Sequence, residues 1–158
     1  MSSAAQIFSA CRRVEFRDTD AAGIMHFSTF FTYMEQVEHE FLRSIGKSVM
    51  PAARQDHDGA EDHVSWPRVA ASCDYRAPLR FEDEFEVRLR IRRLGTKSIE
   101  FGFEFWHADR LCAEGSLTVV CCRIHPGQPP KSVPIPDDFR TLFMPYVESG
   151  ASTDKRSS

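Results

Sequence analysis

The 158-residue chain lacks any run near the roughly 20 apolar residues that a membrane helix requires. It also lacks the basic start and apolar middle of a secretory signal. A soluble cytoplasmic protein is the expectation. Charge of one sign is not in excess either: 20 Lys and Arg against 23 Asp and Glu leave a formal net charge of -3. That balance argues against the broad basic surface by which proteins hold nucleic acid. Cysteine is sparse and poorly spaced for a metal. The five fall at 11, 73, 112, 121 and 122, with no C-x-x-C and no Cys/His ligand spacing, so neither a zinc site nor a disulfide framework is expected. Cys121 and Cys122 adjoin on an extended apolar run, where neighbouring side chains point to opposite faces. Reduced thiols packed as small hydrophobes account for the set. There is no internal repeat, and 42% hydrophobic with 27% charged residues suits one globular domain with a full core.

What is present is periodicity. Residues 7–16 place Phe8, Ala10, Val14 and Phe16 on one side of an extended segment, the period of two of a half-buried strand. From about Ser28 to Ile45 the spacing changes: Phe30, Met34, Val37, Phe41 and Ile45 form the stripe of an amphipathic helix. Ser28 or Thr29 is placed to cap its start, and Gly46 to end it. Residues 47–63 read as a loop. Strand alternation then returns in four rows: Val69, Ala71, Cys73, Tyr75 and Ala77; Phe85, Val87, Leu89 and Ile91; Ile99, Phe101, Phe103 and Phe105; Leu117, Val119 and Cys121. With no helical crossovers between them, these strands should pair antiparallel. Five prolines between 125 and 136 force an extended connection, residues 137–143 suit a short helix, and Glu148 to Ser158 read as a disordered tail. The expectation is an α+β domain over residues 1–147, one curved sheet around one long helix.

Chemistry concentrates between the first strand and the helix, in Asp18-Thr19-Asp20-Ala21-Ala22-Gly23-Ile24-Met25-His26-Phe27-Ser28. Two carboxylates leave a strand, Gly23 permits a tight backbone path, and a helix follows whose first N–H groups have no intrahelical partner. Such N–H groups and the positive end of the helix can hold an oxyanion. A carboxylate beside them can attack a carbonyl or activate water. The plainer alternative is that Asp18 and Asp20 only cap the turn and the helix.

This segment, continued by Phe30, Tyr33, Met34, Glu35 and Phe41-Leu42-Arg43-Ser44-Ile45-Gly46, resembles the signature of the 4-hydroxybenzoyl-CoA thioesterase family of hotdog-fold proteins. The similarity runs over about residues 8–143 and includes Ile135-Pro136-Asp137-Asp138-Phe139. It implies a hotdog fold, a five- or six-stranded antiparallel sheet around a central helix. It also implies hydrolysis of an acyl-CoA thioester and a homodimer or homotetramer with sites between subunits. In that family a D-x-D-x-x-G motif precedes the helix. By resemblance Asp20 is the catalytic carboxylate, nucleophile or general base; Gly23 completes the motif, and the Phe27 backbone N–H is the oxyanion contact. No metal or cofactor is implied, CoA entering as part of the substrate. The chain departs from common members at Phe27, where His or Tyr is frequent, and at Thr29 and Phe30, where Asn-Tyr is frequent. Those side chains lie near the acyl group, so an aromatic and a short- or medium-chain acyl group both remain open.

Other candidates attach to this scheme. His26 is either a proton-tuning group or a cap or pocket wall. Glu35 matches a helix acid able to face a neighbouring subunit's pocket, or is simply solvated. Glu38, His39 and Glu40 with Glu35 invite a metal reading that nothing else in the pattern supports. Lys97 and Lys131 match, by resemblance, basic positions that hold the CoA phosphates, whereas Arg88, Arg90 and Arg92 alternate with Glu84 and Glu86 as a solvated outer face. Ser65 and Trp66 border the pocket or join the core. Two rival readings stand beside the thioesterase. A hotdog hydratase or dehydratase would need His26 or His39 paired with an acid, and a binding module would hold acyl-CoA or an acyl-carrier protein without turnover.

Overall fold

The computed structural model describes residues 4–49, 64–124 and 127–149. Its elements in chain order are β1 (Phe8–Arg13), α1 (Thr29–Ser44), β2 (Val64–Ser65), β3 (Arg68–Tyr75), β4 (Glu84–Leu94), β5 (Ser98–His107), β6 (Arg110–Val120), β7 (Cys122–Arg123), β8 (Lys131–Ser132) and α2 (Asp137–Phe143). Five strands make the main sheet in the order β1-β4-β5-β6-β3, every pairing antiparallel. The three two-residue strands form a separate sheet, β2-β7-β8. No helix among the described residues is long and apolar enough to cross a membrane.

The alternation read from the sequence places the core. Phe85, Val87, Leu89 and Ile91 of β4 and Ile99, Phe101, Phe103 and Phe105 of β5 are all buried, and the intervening residues, apart from the buried Gly102, are partly or fully exposed. Against them α1 buries Phe30, Met34, Val37 and Phe41. Each such side chain contributes roughly 1.5–3 kcal/mol by leaving water, so this seam dominates the stability. At Gly115 the helix comes close: a Cβ there would lie 2.4 Å from Met34 Sδ. The helix ends as its glycine suggests. Gly46 has φ +76, and the Lys47 N–H reaches back to the Leu42 carbonyl at 2.8 Å.

Four expectations need correction. Ser28 occupies the cap position of α1 without a side-chain cap bond; its hydroxyl lies 2.7 Å from His26 Nδ1 instead. The first strand stops at Arg13, and a 3-10 turn over Phe16–Asp18 swings Phe16 outward to 77% exposure. The β3 row does face the helix side, with Ala71, Cys73 and Tyr75 opposite Leu117, Gly115 and Ala113. Yet β3 is an edge strand with no neighbour on its outer side among the described residues, and Val69 and Tyr75 remain 62% and 48% exposed. The arginine row of β4 is not simply solvated. Arg90 pairs with Glu104 at 2.9 Å, and Arg88 pairs with Glu86 and lies over the Trp106 ring. Trp66 belongs to the core, packed on Phe139 and Phe143. Glu148 still donates its N–H to the Ile91 carbonyl at 2.9 Å. The greater part of the expected 47–63 loop, residues 50–63, and the tail beyond residue 149 lie outside the described residues.

Candidate active site

The two aspartates of the motif have different surroundings. Asp18 is buried; its Oδ2 accepts the Tyr33 hydroxyl at 2.6 Å and the Glu15 N–H at 2.9 Å, and its carbonyl accepts the His26 N–H at 2.8 Å. It anchors the turn. Asp20 opens the next turn, in which its carbonyl accepts the Gly23 N–H at 2.9 Å and Gly23 takes φ +74. That positive φ is where glycine is needed. Asp20 Oδ1 accepts the Ala22 N–H at 2.8 Å. Oδ2 has no hydrogen-bond partner among the described residues and is available to a ligand. The returning chain is stitched to the loop before β4: the Met25 N–H donates to the Leu79 carbonyl at 2.7 Å, and Ile24 bridges Arg80.

These constraints enclose a cavity of about 420 Å³ lined by Asp20, Phe27, Phe30, Tyr75, Pro78 and Leu79, among others. One carboxylate therefore faces a mainly apolar space at the start of α1. The Phe27 N–H has no hydrogen-bond partner among the described residues. Its carbonyl accepts the Tyr75 hydroxyl at 2.8 Å, and its ring is 62% exposed. Concavities of about 500 and 590 Å³ lie beside β1. Their Arg12 and Arg13 are already paired with Glu40 and Glu84, and neither includes Asp20.

Asp20 and Phe27 thus come together with Gly23 in the turn between them; the other expected residues do not join them within one chain. His26 does not line the cavity, its ring nitrogen being engaged with Ser28. Glu35 is exposed on α1, 3.7 Å from Arg68. Lys97 and Lys131 are exposed at the opposite end of the sheet. There the Cys121 N–H donates to the Lys97 carbonyl at 2.7 Å, and the Cys121 carbonyl accepts the Val133 N–H at 2.9 Å, which sets the two lysine segments side by side. β5 separates them from the cavity, and its ten residues at about 3.3 Å each span roughly 30 Å.

The metal reading is not met. Glu38 turns into the core at 1% exposure and binds Arg68 at 2.7 Å, and among the described residues no three His, Cys, Asp or Glu side chains gather in ligating geometry. Burial raises the Glu38 carboxyl to about 7, against the opposing pull of Arg68. Burial likewise lowers the His39 imidazole and raises the Cys73 and Cys121 thiols to about 11. The buried place of Glu38 is visible in the spacing, since it follows Met34 by four and precedes Leu42 by four. The roles of Tyr33 and Tyr75 carried no such signal: Tyr33 stood only among the residues that carry the resemblance, and Tyr75 as an aromatic in an apolar row.

Residues 14–143 match the family model of the thioesterase-like superfamily. The chain belongs to the thioesterase-like superfamily. Among curated relatives of this thioesterase, the 1,4-dihydroxy-2-naphthoyl-CoA hydrolase of a Synechococcus species is 35% identical over 112 residues, 69% of this chain and 72% of the relative. A protein of the same name from Prochlorococcus marinus is 33% identical over 109 residues, 67% and 71% of the two chains. Among solved structures, a gentisyl-coenzyme A thioesterase aligns at 30% identity and a TM-score of 0.70, covering 86% of this chain and 99% of its own. A 1,4-dihydroxy-2-naphthoyl-CoA thioesterase from Synechocystis aligns at 26% and 0.74, covering 88% and 96%. The hotdog fold and the acyl-CoA thioester hydrolase class expected from the sequence are borne out.

Proposed function

We propose that this thioesterase hydrolyses an aromatic acyl-CoA to the free acid and CoA, acting in the cytoplasm, with Asp20 as nucleophile or general base. The observation that carries this reading is the shared cavity: Asp20, which keeps one carboxylate oxygen without a partner, and Phe27, whose N–H has none among the described residues, line the same mainly apolar space. With the thioester carbonyl between them, the Phe27 N–H stabilises the oxyanion. Asp20 either attacks the carbonyl carbon, giving an anhydride that water opens, or takes a proton from the attacking water. CoA leaves as the thiolate. No cofactor is called for, because water is the co-substrate and a thiolate is a competent leaving group. The rings of Phe27, Phe30 and Tyr75 with Pro78 and Leu79 suit a flat acyl group, and the relatives named above are called hydrolases of aromatic acyl-CoAs.

The nucleotide grip comes from a second copy. Antiparallel pairing of β3 with the β3 of a twin subunit reverses the strand ends, so the lysine-bearing end of one subunit arrives beside the Asp20 cavity of the other. Lys97 and Lys131 then meet the CoA phosphates, Glu35 lies near the shared seam, and a homodimer is the smallest complete unit. The dehydratase alternative needs a histidine at the cavity, and neither His26 nor His39 lines it. A panel of aromatic and fatty acyl-CoAs with free-thiol detection, run on the wild type and on Asp20→Asn, tests the reading. Thiol release from aromatic substrates that vanishes in the variant is expected; release that persists in the variant removes Asp20 from the chemistry.

A further inference from the structure

Phe27 sits at an awkward point of the backbone. In a helix extended one residue earlier, the Phe31 N–H would take the Phe27 carbonyl, but Phe31 donates to Ser28 instead, at 3.1 Å. The neighbours are held: Met25 by Leu79, His26 by Asp18, and Thr29 by the His26 carbonyl at 2.9 Å. Between them the Phe27 ring is largely exposed, touching the His26 ring at 4.4 Å between centroids. What holds the Phe27 backbone from across the fold is the 2.8 Å hydrogen bond from Tyr75.

Tyr75 is well placed for this. It is the last residue of β3, and its ring stands edge-on to Phe30 at 5.1 Å, which in turn stands edge-on to Phe105 at 5.0 Å. The hydroxyl is therefore aimed by the core. Burial and the Cys73 thiol, two residues back on the same face, raise the Tyr75 phenol, so it remains a protonated donor near neutral pH. We infer that Tyr75 is a positioning residue, whose hydroxyl fixes the Phe27 peptide so that the neighbouring N–H stays aimed into the cavity, linking the oxyanion contact to the edge strand. The inference rests on the thioesterase reading above and adds a residue to it.

Tyr75→Phe keeps the ring and removes the hydroxyl. In the full-length protein kcat for an aromatic acyl-CoA should fall about 10-fold to 100-fold, less than the loss on removing an oxyanion donor outright, while KM changes by less than about twofold. Tyr75→Ala, which also removes a wall of the cavity, should raise KM as well. A second readout needs no turnover: by NMR of the substrate-free protein, the Phe27 and Ser28 amide resonances should shift and broaden in Tyr75→Phe while those of Met25 and Thr29 are unchanged. An unaltered Phe27 amide overturns the inference, as does an unaltered kcat in Tyr75→Phe, or a rise in KM matching the fall in kcat. If the wild type releases no thiol from any acyl-CoA, the functional reading fails alone and the amide measurement decides the role of Tyr75.

Discussion

The Tyr33 hydroxyl donates a 2.6 Å hydrogen bond to Asp18 Oδ2, whereas Asp20, two residues on, keeps one carboxylate oxygen open to the cavity. One helix residue thereby ties one carboxylate of the motif into the fold and leaves the other to the cavity. Asp20→Asn should lower turnover by at least about 100-fold, with substrate binding and thermal stability largely kept. Asp18→Asn should do the reverse, costing about 1–3 kcal/mol of stability through its charged hydrogen bonds and less of the activity. Steady-state kinetics and denaturation curves of both variants check the division. Similar kinetic losses in the two would erase it.

Lys97 and Lys131 lie far from the Asp20 cavity, so in the proposed reaction they should act on capture rather than on chemistry. Their alanine variants should raise KM for acyl-CoA and leave kcat nearly unchanged. An acyl thioester of a short thiol without the nucleotide should not distinguish them from wild type. Equal losses on both substrates would place the lysines elsewhere.

An exposed Val69 in an uncharged stretch of edge strand is a surface that water covers poorly. Val69→Asp should shift the protein from the proposed dimer to an inactive species of half the mass, read by sedimentation at low micromolar concentration. An active wild-type monomer near 18.0 kDa would refute the shared site.

Stability should also depend on pH through Glu38. Its carboxyl is raised from 4.5 to about 7, so the folded state binds that proton more tightly than the unfolded chain does. The associated stability is fully present below about pH 4.5 and lost as pH rises through about 7, an effect of about 3 kcal/mol. Glu38→Gln should flatten this slope. Urea midpoints at pH 5 and 7.5, taken at one protein concentration, make the comparison, and parallel slopes in the two proteins would remove Glu38 as the source.

The fold was legible where periodicity reports burial directly. The stripe from Phe30 to Ile45 and the rows of β4 and β5 needed only one rule each, because a helix or central strand buries one face whatever surrounds it. The β3 row obeyed the same rule and misled, since whether Val69 is covered depends on where the strand falls in the sheet, and alternation carries no strand order. At the site, the spacing of Asp18, Asp20 and Gly23 left open whether the aspartates only cap the turn, and it was the resemblance that singled out Asp20 and Gly23. It did not reveal that Tyr75 would meet the Phe27 carbonyl 48 residues away. Contacts of that range come from topology, and no local spacing marks them. Lys97 and Lys131 were found by resemblance, and their distance from Asp20 appears only when the strands are laid out.

Among the described residues the main sheet has two unpaired margins, and they differ in character. β1 offers Arg12 and Arg13, tied into ion pairs with Glu40 and Glu84, so a neighbouring strand arriving there would meet fixed charge. β3 offers Val69, Ala70, Ala71, Ser72 and Cys73, small and uncharged. Joining two copies through β3 uses the accommodating margin of both and leaves only the guarded ones outward. Such a sheet would be self-limiting: it would close at ten strands instead of lengthening into a ribbon, so the same asymmetry that favours a pair would cap the growth of a filament.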